Sequence, residues 1–133
     1  MTRPEDELWW DHMQRRGPRT WAREMFLAAT YALAILDRPL RERLRIAYAQ
    51  NIYPLFQARE VALEAEERSP LEEIFYAFYK TPEYRAEPGE EPVKRALEGM
   101  SSNAAEELAV NIVRLSFDVC AKIPPDPKEA GTG

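Results

Sequence analysis

One histidine, one cysteine and five glycines leave a chain of 133 residues short of material for most enzymatic chemistry. His12 stands beside Asp11 on the border of an apolar helix face. No Glu-x-x-His pair exists from which facing helices could build a di-metal carboxylate site. Cys120 has no cysteine to pair with and falls inside an apolar helical stretch, where a thiol is inert packing and not a nucleophile. The scattered glycines form no phosphate-cradling loop, and no catalytic signature is recognisable. Glu60, Glu64 and Glu67 share a helical spacing but lack nitrogen ligands, so they read as a solvated acidic stripe. The expectation is a non-enzymatic chain with no metal and no cofactor.

Long apolar runs are missing too. The stretch from Met25 to Leu36 is twelve residues, well below the ~20 needed to cross a bilayer. The opening MTRPEDELWW carries acids and no apolar core, unlike a secretory signal. With the lone cysteine, this points to the cytoplasm. Period-two alternation and Asn-Gly hairpin turns are absent, and no repeat appears at solenoid periods. The fold class expected is all-α: a single-domain bundle of about five main helices plus short pieces over 1–123, followed by a flexible Pro-rich tail over 124–133.

Eight of the eleven prolines punctuate that bundle. Thr2-Arg3-Pro4-Glu5 fits a capping box, and Gly17-Pro18 breaks the first helix. Thr20 is the expected cap of a second helix running to about Leu36; Asp37 and Pro39 open a third. Pro54 sits inside a continuing helical pattern, predicting a kink near Asn51–Tyr53 and a continuation to about Arg68. Ser69-Pro70-Leu71-Glu72 reads as the next start. Thr81-Pro82 restarts the chain with a single turn near Glu83–Arg85, and 87–92 forms a loop. A short helix from Pro92 ends at Glu98, where Gly99 supplies a left-handed stop. Ser101, Ser102 or Asn103 caps a last helix that ends before Pro124.

Two of these helices carry more apolar surface than a small bundle readily covers. Residues 25–36, MFLAATYALAIL, hold one hydroxyl and no charge. Trp21, Met25, Ala28, Ala32 and Ile35 fill one side, with Phe26, Leu27, Tyr31, Leu33 and Ala34 around the rest. A helix apolar all round is enclosed by its own bundle or by another chain. The last helix repeats the pattern: Leu108, Ile112, Leu115 and Val119 form a core face, while Val110, Val113 and Phe117 form a second strip nearly opposite. Its wet stripe is Glu107, Asn111, Arg114, Asp118 and Lys122, with expected pairs Arg114–Asp118 and Asp118–Lys122. Leu71, Ile74, Phe75 and Phe78 make a core stripe that leaves Tyr76 and Tyr79 off-centre. On the first helix, Trp10 points away from Leu8, Trp9 and Met13. Tryptophan and tyrosine dominate binding hot spots. Trp10, Tyr76, Tyr79, Val110, Val113 and Phe117 are therefore the partner-contact candidates.

Charge is unevenly spread along the chain. The net value is −5, yet Arg15, Arg16, Arg19, Arg23, Arg38, Arg41, Arg43 and Arg45 face only three acids between positions 15 and 45. From Glu60 onward, sixteen acids face eight basic residues. The first reading is a helical subunit that assembles with itself or docks on a protein partner, with no membrane involved. The alternative is a subunit of a nucleoprotein complex, with those eight arginines touching nucleic-acid phosphates. A third reading, a bundle enclosing an apolar small molecule, lacks the convergent polar groups such a site needs.

Overall fold

A computed structural model describes residues 4–79 and 96–124, with side chains over 10–77 and 96–124. Among these residues every regular element is helical and no strand occurs. The helices are α1 (Pro4–Arg16), α2 (Pro18–Ile35), α3 (Leu40–Ala47), α4 (Tyr53–Gln57), α5 (Arg59–Ala62), α6 (Ala65–Tyr79) and α7 (Ser102–Lys122). Five of them are eight residues or longer, as the all-α reading expects, and a further helical turn covers 96–98. Residues 1–3, 80–95 and 125–133 lie outside the described residues, and with them the expected capping box at Thr2, the turn near Glu83–Arg85, the 87–92 loop, the start of the helix from Pro92 and most of the Pro-rich tail.

α2 occupies the centre and touches α1, α3, α5 and α7. Its inner arc of Trp21, Ala22, Phe26, Ala29, Ala32 and Leu33 is buried. Leu108, Ile112, Leu115 and Val119 from α7 meet the same core, with Leu44, Ile52, Leu55 and Leu71 from the surrounding elements. Each such large side chain contributes about 1.5–3 kcal/mol by leaving water. α7 runs antiparallel to α2. Cys120 near its end lies 3.8 Å from the carbonyl of Arg23 near the start of α2. Arg41, just past the end of α2, donates to Leu97 and Met100 just before α7 begins.

Gly17 makes the α1–α2 corner with φ 90°, a conformation that favours a residue without Cβ, and Pro18 follows at the first helical position. Thr20 therefore lies inside α2 and does not cap it. Nor does Asp37 cap α3. Pro39 holds that position in extended backbone, and the Arg43 guanidinium staples the corner by donating to Arg38 and Leu33 carbonyls.

Pro54 does interrupt its helix. Tyr48–Ile52 widens to a π-helical turn in which the Tyr53 amide reaches the Tyr48 carbonyl, five residues back. That extra residue makes room for a ring that clashes with an α-turn and lacks an amide to complete it. The helix does not continue to Arg68. Leu63 is extended, and α6 starts at Ala65, so Ser69 and Pro70 fall within it. The early start is fixed by Glu67, whose carboxylate, held in place by Arg19, accepts from the Glu64 amide at 2.8 Å, the return half of a capping box. Gly99 follows the 96–98 turn, but Gly17 is the one glycine with positive φ among the described residues. Ser101 is the cap of α7, accepting from the Ala104 amide at 3.1 Å.

Candidate functional site

Most of the arginines of the front half of the chain are used inside the fold. Arg16 pairs with Glu24, and Arg45 lies 3.8 Å from Glu42. Arg41 donates to the Leu97 and Met100 carbonyls, and Arg43 to Arg38 and to Leu33 in the last turn of α2, where a cation also suits the negative end of the helix dipole. Arg19 reaches furthest: it donates to Glu67 Oε1 at 2.5 Å, Glu67 Oε2 at 3.1 Å and the Ala62 carbonyl at 3.0 Å. Cys120 rests against the backbone of Arg23. Arg15 and Arg38 are exposed, at opposite ends of an α2 about 27 Å long. No single arginine surface is assembled from the eight. The basic front half and the acidic back half meet at one point, where Arg19 faces Glu67 and Glu64.

Glu67 is consequently no part of a solvated stripe. Its side chain is 2% exposed. Burial pushes its carboxyl up, but the Arg19 and Glu64 hydrogen bonds and the Arg19 charge outweigh burial and hold it below the ordinary range. Glu60 on α5 and Glu64 in the link before α6 remain exposed. On α7, Lys122 turns to Glu66 of α6 at 3.5 Å in place of Asp118. Burial pushes the Cys120 thiol up, only partly offset by the nearby Arg23 charge, so it carries little thiolate. Among the described residues no three His, Cys, Asp or Glu side chains converge on a metal-sized site.

The aromatic candidates separate in space. Tyr76 is 46% exposed but packs edge-on against Phe75, whose ring stacks on Phe56 at 3.6 Å beneath the Arg59 guanidinium. That column ties α4 and α5 to α6. Trp10 is 39% exposed on α1. The side chain of Tyr79 lies outside the described residues. Val110, Val113 and Phe117 stand apart from Tyr76. α6 approaches α7 on the Leu108, Asn111 and Leu115 flank, whereas Cys120, on the Val113 side, faces α2.

Beside this strip α2 presents one of its own. Leu27, Tyr31 and Ile35 are 43, 61 and 57% exposed, opposite the buried Trp21–Phe26–Leu33 arc. Ala28 and Ile35, grouped with Trp21 by helical spacing, are thus on the outside. With Arg23 beside Cys120 and equal rise along antiparallel helices, Leu27 falls level with Ser116, one residue from Phe117, and Ala34 level with Ala109, one residue from Val110. The two strips form one apolar face. Phe117 at 65% exposure is its most prominent knob. On the other flank of α2, an open groove of about 640 Å³ runs between Leu27, Ala28 and Tyr31 and the Ile46–Gln50 segment. The α2 half of this face escaped the sequence-derived contact set, although its i, i+4, i+8 spacing at 27, 31 and 35 was the available signal.

No protein-family model matches this chain, and no curated protein or solved structure is similar to it. Among the described residues no helix is long and apolar enough to cross a membrane.

Proposed function

We propose that this chain is a non-enzymatic assembly subunit whose contact surface is the outer face of α2 and α7. The observation that carries the reading is the exposure of five large apolar side chains, Leu27, Tyr31, Ile35, Val110 and Phe117, on that one face. A typical monomer's largest apolar patch is already ~300–600 Å² and is often functional. These five side chains alone expose on the order of 600 Å². The engagement of Arg16, Arg19, Arg41, Arg43 and Arg45 within the fold favours protein over nucleic acid as the partner. A single cysteine, with no second to pair with in the chain, suits a reducing compartment, and the cytoplasm is the proposed location.

The test is capture from the native cell with the tagged full chain and its Phe117→Glu variant, with and without nuclease. The expected result is a stoichiometric polypeptide, either the same chain or another, that survives nuclease and disappears with the variant. Capture unchanged by Phe117→Glu, or lost on nuclease treatment, overturns the reading.

A further inference from the structure

The geometry points to a second copy of this chain as the occupant of the α2–α7 face, each copy seating Phe117 in the other's α2–α3 groove. This rests on the reading of that face as a contact surface and names what covers it. Three observations favour a copy over an unrelated protein. The first is self-complementarity: the chain carries both a projecting ring, Phe117, and an apolar groove, and they lie on opposite flanks of the same exposed helix. A closed two-fold contact needs that arrangement, since each surface must supply knob and socket together.

The second observation is level. A two-fold axis lying along α2 exchanges its flanks and leaves height along the helix unchanged. Phe117 lies within one residue's rise of Leu27, by the contact of Cys120 with Arg23. The lining of the groove begins at the same level, with Leu27 and Ala28. The rotation therefore carries Phe117 of one copy over Ala28 of the other, while Tyr31 meets its own counterpart across the axis.

The third is area and charge. A standard interface takes about 800 Å² from each partner. The five exposed side chains supply most of this, and Ala28, Ala34, Val113 and the groove wall at Ile46 supply the remainder. From Met25 to Leu36 there is no charge at all, so two copies, each of net charge −5, bring no like charges together along that stretch, and Glu24 just before it is paired with Arg16 in its own chain.

Sedimentation equilibrium on the purified full chain tests this at about 100 μM, where a micromolar dimer is largely assembled. The wild-type chain is expected at twice the single-chain mass. Phe117→Glu removes the knob and Ala28→Arg fills the socket; both positions are exposed, so each variant should keep its helical circular dichroism and sediment as a monomer. Mixing the two variants in equal amounts should restore the double mass. One of the two contacts is then Phe117 over Ala28, and the other pairs the new carboxylate with the new guanidinium. A single-chain mass for the wild type overturns the proposal, as does a dimer that survives both substitutions or a mixture that stays monomeric. Failure of the assembly reading is seen separately, in captured proteins that Phe117→Glu leaves unchanged.

Discussion

At Glu67 the fold commits a carboxylate to the interior and compensates it completely. Both oxygens take an Arg19 hydrogen bond, and the Glu64 amide adds a third. The pair joins α2 to α6, forty-eight residues apart in sequence. Breaking one side of a buried pair costs about 3–5 kcal/mol. Arg19 is partly solvated and keeps its bond to the Ala62 carbonyl, so Glu67→Ala should cost less, about 2 kcal/mol by denaturant titration. The sign of the pH dependence follows from the lowered carboxyl. Its contribution is fully present above the unfolded value of about 4.3 and is lost as pH falls through the lower folded value. Acid unfolding followed by circular dichroism should therefore be steeper in the wild type than in Glu67→Gln. Equal slopes would remove the pair from the account of acid stability.

Among the elements, α7 offers the sharpest contrast between its two apolar faces. Ile112 is fully buried and Phe117 is 65% exposed, five residues away. Ile112→Ala should cost about 2–5 kcal/mol. Phe117→Glu should change the stability of the single chain by no more than about 0.5 kcal/mol. Chemical denaturation of the two variants at low protein concentration checks both. Gly17→Ala gives a different kind of loss. An added Cβ meets nothing within 4 Å, so the penalty is conformational alone, about 1–3 kcal/mol for a positive φ.

At this scale the sequence was readable where the cause is local. The proline break at Pro54, the Gly17 corner, the Ser101 cap and the core face of α7 all follow from neighbours within a turn or two. The start of α6 was not, because Glu67 decides it, and Glu67 is drawn inward by an arginine from another helix. The outer face of α2 was half readable. An uncharged helix announces surplus apolar surface, but which arc faces outward depends on where α3 and α7 come to rest.

For the molecule as a whole, the arginines serve as fasteners between segments remote in sequence. Arg41 holds the 96–100 segment, and Arg43 closes the end of α2. Reversing Arg41, Arg43 and Arg45 to glutamate should therefore lower the thermal midpoint, by about 10 °C or more in a calorimetric scan. A triple variant that melts like the wild type would return these side chains to the list of free cations. Spacing alone could not separate the two outcomes, since the acceptors are backbone carbonyls up to fifty-nine residues away.

Cys120 gives this architecture a built-in clock. Its sulfur is tucked against the backbone of Arg23, and its proton is held more tightly than a free thiol's. The thiol is half-buried, so a maleimide should alkylate it more slowly than a free thiol and faster when α7 lifts from α2 at that end. A change in the alkylation rate of the unaltered protein thus reports a change in how firmly the two helices hold together there, with no engineered probe.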